Sequence, residues 1–365
     1  MNPLVELHAF GQSFWYDNIR RKLLQDGTLA RLIAEDGLRG MTSNPSIFEK
    51  AIGGSDDYDN QMKQLAAEGA DTTAVYEALA IADIQAACDL FATLYVASER
   101  GDGYVSLEVS PYLARDTEGT VVEARRLFTA VNRPNLMIKV PATPQGIPAI
   151  RQLIGEGINV NVTLMFSLAH YEAVANAYID GLRHLAAAGG DLRKVASVAS
   201  FFVSRVDSAV DAQLEQMDVP AANELMGKTA VANCKIVYQR FIELFHGDGF
   251  ATLAAGGAAV QRLLWASTSA KNPNYSPTMY VDELIGPQTV STIPPNTVDA
   301  FRAHGRVANT LEQDVPAAQA VLAGVAGLGI DLSAVTEQLQ TEGVDAFAHS
   351  FGQLMDTIVT KRSAL

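Results

Sequence analysis

Short apolar runs alternate with longer stretches of helical period along most of the chain. The strand-like runs are Ser13–Tyr16, Gly40–Thr42, Tyr104–Val109, Leu136–Val140, Asn159–Phe166, Val195–Val203, Arg262–Ala266 and a weaker one at Thr289–Ile293. Between them lie helical patterns such as Asp71–Arg100, Ala169–Ala187 and Met226–Phe245. Eight strands alternating with helices predict an α/β fold with a parallel sheet, and eight is the number that closes a TIM-type (β/α)8 barrel. Such a barrel takes about 250 residues. The surplus of this 365-residue chain is expected in N-terminal and C-terminal helical additions, including the region after Pro295. No linker, low-complexity tract or internal repeat interrupts the pattern, so residues 1–365 read as one domain.

The polar residues inside the strands change this picture from fold to function. Successive side chains of a strand point to opposite faces. In Tyr104–Pro111, Val105, Leu107 and Val109 oppose Ser106, Glu108 and Ser110. In Leu136–Val140, Lys139 shares a face with Met137. In Asn159–Phe166, Val160, Val162, Leu164 and Phe166 oppose Asn159, Asn161, Thr163 and Met165. Barrel strands are usually apolar on both faces, and burying an unpaired charge costs several kcal/mol. Three successive strands that each bury a polar group predict a site. Barrel sites lie at the C-terminal strand ends, where Glu108, Lys139 and Thr163 fall.

Composition narrows the chemistry. Hydrophobic residues make up 48% of the chain and charged residues 19%, enough apolar mass for a large core. The formal net charge of −14 argues against nucleic acid. No run approaches 18 uninterrupted apolar residues and the N-terminus lacks a signal-peptide pattern, so a cytoplasmic protein without a membrane span is expected. Cys88 and Cys234 cannot build a disulfide framework or a cysteine zinc site and read as buried, inert thiols. GxxxxGK[ST], a GxGxxG between strand and helix, HExxH and metal-ligand histidine spacing are all missing, so no metal or nucleotide cofactor is expected.

Within LMIKVPAT, Lys139 has apolar flanks that favour a free amine able to attack a carbonyl and form a Schiff base. The same residue can instead be an ordinary ion-pair partner of Glu108 on the neighbouring strand. Asp17, ending the SFWYD run, suits a base for a substrate hydroxyl or an N-cap for the helix that follows. Asn44, in GMTSNPSIF, suits sugar hydroxyls or an Asx-type turn. In SFFVSRVD, Ser200, Phe202 and Arg205 stand at another strand end; Arg205 either forks onto a phosphate or pairs with Asp207. In WASTSAKN, Ser269 and Lys271 suit a phosphate at a late barrel loop, or belong to a solvated turn.

Together these residues resemble the transaldolase family. GMTSNPSIF (Gly40–Phe48) and LMIKVPATPQG (Leu136–Gly146) match its signatures, as does QRLLWASTSAKNP (Gln261–Pro273), and the order Asp17, Asn44, Glu108, Lys139, Asn161, Thr163, Ser200, Arg205 fits as well. The likeness runs from about residue 10 to residue 355, and the length is similar to the longer bacterial type without a fused isomerase domain. The resemblance implies transfer of a dihydroxyacetone unit from sedoheptulose 7-phosphate to glyceraldehyde 3-phosphate, giving erythrose 4-phosphate and fructose 6-phosphate in the non-oxidative pentose phosphate pathway. Its implied partners are small phosphorylated sugars, and the chain is expected as a monomer or homodimer. By the same resemblance Lys139 is the Schiff-base nucleophile, Asp17 the base at the C4 hydroxyl, and Glu108 with Thr163 the holders of a proton-shuttling water. Asn44, Asn161 and Ser200 would bind the three-carbon unit, and Arg205 with Ser269 and Lys271 the phosphate. Here the chain departs from shorter members, which commonly place serine and arginine close together; Ser-Ala-Lys stands in their place.

Carbon–carbon cleavage leaves charge that a Lys139 iminium absorbs as an enamine, which must then be shielded from water. Phe14, Trp15, Phe202 and Trp265 are the expected shield. Two other readings stay open on sequence: a Schiff-base aldolase that splits fructose 6-phosphate or deoxyribose phosphate outright, and a barrel that binds a sugar phosphate without turnover.

Overall fold

The computed structural model describes residues 2–364. Eight parallel strands close a barrel in sequence order: β1 Gln12–Asp17, β2 Gly40–Thr42, β3 Tyr104–Glu108, β4 Leu136–Pro141, β5 Val160–Met165, β6 Ser197–Phe202, β7 Arg262–Ala266 and β8 Thr289–Ile293. Helices connect them as the alternation predicts. The three helical patterns read from the sequence fold as Thr72–Ala97, Leu168–Ala187 and Thr229–His246. Side-chain caps fix several starts: Asp71 accepts from Ala74 N, Asp116 from Gly119 N and Ser167 from His170 N. After β8 come three more helices, Pro295–His304, Val315–Gly327 and the long last helix Leu332–Ala364.

Register decides what faces inward. Glu108 pairs with Lys139 and Lys139 with Asn161, so these side chains share the interior. Trp15 pairs with Gly40 and Asp17 with Thr42 on the same inner face. A Cβ on Gly40 would stand 2.4 Å from the Trp15 indole, which explains the glycine that opens GMTSNPSIF. Phe14 and Trp265 occupy the alternate, outward positions. Of the four aromatics expected to screen the site, Trp15 packs deeper inside the barrel and Phe14 and Trp265 pack outside it. Phe202 alone reaches the cavity described below.

The strict alternation expected through Phe166 breaks at Leu164. This residue sits in the left-handed region, φ 62°, and the β5–β6 register shifts between Val162 and Met165. The break ties to the last helix: Gln340 Nε2 donates to the carbonyls of Ala142 and Leu164 at 3.0 Å each. A buried amide thereby satisfies the Leu164 carbonyl at the bulge and the Ala142 carbonyl just past β4, and the last helix is pinned across the C-terminal mouth of β4 and β5.

The Thr72–Ala97 helix has the length and mean hydropathy, 1.5 over its best window, of a bilayer span, which a search for uninterrupted apolar runs misses. Here Val75, Leu79, Ile84, Ala87 and Phe91 are buried within the protein. Cys88 and Cys234 are free and fully buried, and burial pushes the Cys88 thiol up to about 12, as expected of inert thiols.

Candidate active site

Lys139 reaches the centre of the barrel mouth from the end of β4. Its Nζ donates to Glu108 Oε2 at 3.1 Å and to the Ser43 carbonyl at 3.2 Å. The ion-pair alternative is therefore realised, yet the lysine also lines a cavity of about 180 Å³. Asp17, Asn44, Thr163, Ser200, Phe202, Arg205, Ser269 and Lys271 line the same cavity. One amine is thus both paired and open to a ligand.

The two carboxyls beside it are held in an unusual state. Burial raises the Asp17 carboxyl above the ordinary carboxylate range, opposed in part by Lys139 and by a hydrogen bond from Thr42. Burial likewise raises Glu108, opposed by Lys139 and assisted by the Asp17 charge. Such groups exchange protons nearer to neutral pH than free carboxylates do. Asp17 does not cap a helix; the next one begins at Arg21 with Arg20 as its cap. Its Oδ1 instead accepts from Thr42 Oγ1 at 2.8 Å. A hydroxyl has one proton, so Thr292 Oγ1, 2.7 Å from Thr42 Oγ1, donates into this chain.

Thr163 Oγ1 is buried without a hydrogen-bond partner among the described residues, while facing the cavity. Buried hydroxyls are nearly always satisfied, so this one is poised for a group in the cavity. Asn44 realises the turn alternative and also faces the cavity. It caps the Pro45–Gly53 helix by accepting from Ile47 N at 3.0 Å, and it lines the cavity. Asn161 is placed differently. It lies wholly enclosed beneath the cavity, donating to Ser106 Oγ at 2.9 Å and accepting from Ser200 Oγ at 2.7 Å. Its contact is with Ser200, which does reach the cavity.

At the other wall, Arg205 does not pair with Asp207. That carboxylate accepts from Ala230 N at 2.7 Å and from the Tyr280 hydroxyl at 2.9 Å. The Arg205 guanidinium instead lies 5.4 Å from the Phe202 ring centroid, with no salt bridge among the described residues. Lys271 Nζ donates to Ser269 Oγ at 2.6 Å. Burial depresses both cations, and for Lys271 the Arg205 charge adds to the effect. Two cations that repel each other across one wall suit an anion between them. The loop that carries Lys271 is tied to the helix that carries Arg205: Ser204 N donates to the Ser267 carbonyl at 3.1 Å, and the two hydroxyls lie 2.9 Å apart. Ser267 holds a left-handed backbone, φ 57°, to do this.

Several site residues escaped the sequence reading. Thr42 and the Ser43 carbonyl lie within GMTSNPSIF, where only Asn44 stood out. Thr292 lies in the weakest strand pattern. Phe347 comes from the last helix, its ring centroid 5.2 Å from Lys139 Nζ, and lines the cavity beside it. Nothing local to residue 347 signals this position.

A family model described as Transaldolase/Fructose-6-phosphate aldolase matches residues 14–358. A transaldolase of Thiobacillus denitrificans is 51% identical over 358 residues, covering 98% of this chain and 100% of the relative. Transaldolases of Parafrankia sp. and Trichodesmium erythraeum are 48% and 45% identical, covering 98% and 99% of this chain and 97% of each relative.

Proposed function

The chain belongs to the transaldolase/fructose-6-phosphate aldolase family, and from this premise we propose that Lys139 is the nucleophile of its reaction. That reaction is a transaldolase's, on phosphorylated sugars. In our reading the donor is sedoheptulose 7-phosphate and the acceptor glyceraldehyde 3-phosphate, a step of the non-oxidative pentose phosphate pathway in the cytoplasm.

Lys139 Nζ, having passed one proton to Glu108, adds to the C2 carbonyl carbon of the ketose, and a further proton moves from the nitrogen to the carbonyl oxygen. The resulting hydroxyl takes a second proton and leaves as water, so the C–O bond breaks and a C=N bond forms. Glu108, 3.1 Å from the amine, and the unpartnered Thr163 hydroxyl support this proton traffic. Asp17 then takes the C4 hydroxyl proton. The C3–C4 electrons flow into the iminium to give an enamine, and an aldose phosphate departs. The acceptor aldehyde is attacked by the enamine, receives the proton back from Asp17, and hydrolysis frees the new ketose. Arg205 and Lys271 hold the phosphate; Asn44 and Ser200 hold the three-carbon unit. The Phe347 face lies over the nitrogen that carries the iminium charge, where it favours a cation and, with Phe202, keeps water from the enamine.

The observation that carries this reading is the double engagement of Lys139, paired to Glu108 yet open to the cavity of Asp17 and Thr163. Borohydride reduction in the presence of fructose 6-phosphate tests it. A reduced three-carbon adduct is expected on the peptide containing Lys139; an adduct on another lysine, or none, rejects it. Comparison of free with transferred dihydroxyacetone separates transfer from outright cleavage.

A further inference from the structure

Imine formation releases one water for each donor bound, and hydrolysis of the product imine consumes one. The 180 Å³ cavity offers little room for this water beside a sugar; one molecule's share of liquid is about 30 Å³. The Phe347 ring stands near the amine on one side, and the anion-binding wall of Arg205 and Lys271 bounds the cavity on another.

Behind Glu108 lies a second and larger chamber of about 400 Å³. It runs between β3, the Thr72–Ala97 and Thr117–Val131 helices and the last helix. Tyr76, Ile81, Leu107 and Phe351 form much of its wall. At its outer part stand the Arg126–Glu77 ion pair, with side chains 47% and 25% exposed, and the exposed Tyr112. At its inner end is Glu108, which lines this chamber and not the cavity of Lys139. Asn44 lines both spaces, and Glu108 meets the other cavity through its bond to Lys139. One of its oxygens accepts from Lys139, and its side chain also borders the chamber. Burial, and then the charges of Glu108, Glu123 and Glu77, push the hydroxyl of Tyr76 on the chamber wall well above its ordinary value. Glu123 itself accepts from Ser110 N at 2.8 Å.

Resting on the transaldolase reading above, we propose that this second chamber is the water port of the reaction. It receives the water that leaves C2 and supplies the water that hydrolyses the product imine, with Glu108 passing protons between chamber and Lys139. The sugar enters by one opening and water moves through another. Imine chemistry can then proceed while the enamine on the sugar side stays dry.

Two fillings of the chamber test this. Ala80→Phe places a ring inside it from a wall residue that is 2% exposed, and Thr73→Trp narrows it from an exposed position at its edge. Three rates are measured with fructose 6-phosphate: rapid-quench borohydride trapping, loss of ¹⁸O from labelled C2 to water, and single-turnover release of glyceraldehyde 3-phosphate after the imine has formed. Trapping and ¹⁸O loss are expected to slow about ten-fold, the scale of a hindered proton-transfer step. The dissociation constant of the initial, non-covalent sugar complex and the cleavage step should stay within about two-fold. Should Ala80→Phe fail to fold, Thr73→Trp carries the test alone. Folded variants that trap and exchange as the parent does, or that slow cleavage equally, overturn the port. Absence of any Lys139 adduct in the parent protein overturns the reading beneath it instead.

Discussion

At the N-terminal end of the barrel, Arg262 donates to Asp102 at 3.1 Å, to Ser13 Oγ and the Thr289 carbonyl at 2.6 Å each, and to the Gly101 carbonyl at 3.0 Å. Arg39 closes on the other Asp102 oxygen at 2.5 Å. At the C-terminal end, Lys139 meets Glu108, and Asp17 stands nearby with, among the described residues, only a threonine hydroxyl donating to it. Both ends bury acids, in opposite conditions. Burial alone would raise the Asp102 carboxyl, but Arg262, Arg39 and Ser13 overcome it and hold the group below the usual range. Asp17 and Glu108 stay above it. Buried charge by itself therefore does not mark a site. The lower cluster surrounds Asp102 with two arginines and ties strand ends together, with only Arg262 Nε left over; the upper one leaves acids under-compensated, the Thr163 hydroxyl orphaned and two cations without a salt bridge among the described residues around an open space.

Removal of single groups breaks the comparison most sharply at the top. Lys139→Ala is expected to abolish both turnover and borohydride trapping, with the fold intact by circular dichroism. Asp17→Asn should still form the imine but cleave about 10²–10⁴-fold more slowly; an Asp17→Asn enzyme with normal turnover and only weaker substrate affinity would contradict its role as base. At the bottom the expectation reverses. Asp102→Asn strands two arginines and should cost about 3–5 kcal/mol of stability, read by urea unfolding, while kcat/KM per folded molecule is unchanged. A loss of catalysis without a loss of stability there would erase the distinction between the ends.

Most of the barrel was legible in the sequence, since each parallel strand is a compact apolar run and the interior polar residues interrupt it with period two. The weak Thr289–Ile293 run became β8 because its neighbours β7 and β1 require a partner. Legibility failed where distant segments meet. Gln340 meets the Leu164 carbonyl at the bulge, and the Phe347 ring stands over Lys139 Nζ, both from the last helix. The aromatics near the motifs were the natural candidates for that screen, but pleat direction sends Phe14 and Trp265 outward. Arg205 was ambiguous because two hydrogen bonds from Ala230 and Tyr280, invisible in SFFVSRVD, are what draw Asp207 away from it. The lower cluster went unnoticed for a related reason: Arg262 opens an otherwise apolar run, and its partners precede or begin other strands.

Phe347→Leu sharpens the comparison more gently. It keeps the apolar cover but removes the aromatic face near Lys139 Nζ, a contribution of about 0.5–2 kcal/mol to a buried cation. The expected outcome is a several-fold loss of transfer rate and a larger share of free dihydroxyacetone; an unchanged share would show that Phe202 alone keeps water out.

Acid sets the two ends against each other in one experiment. Asp102 has a depressed folded-state pKa, so its contribution to stability is present above its unfolded value and is lost as pH falls through the lower folded one. Asp17 and Glu108 are raised; what their protonation contributes is present below their unfolded values and disappears as pH rises through the folded ones. Falling pH therefore neutralises the Asp17 carboxylate, our proposed base, before it releases the Asp102 network. The acid limb of kcat should lie above the ordinary aspartate value of 3.8, at a pH where ellipticity and thermal midpoint are still those of the neutral protein. Activity should return fully on neutralisation. If turnover and ellipticity instead decline together, the acids at the top are held no differently from the acid at the bottom, and the contrast between the two ends fails.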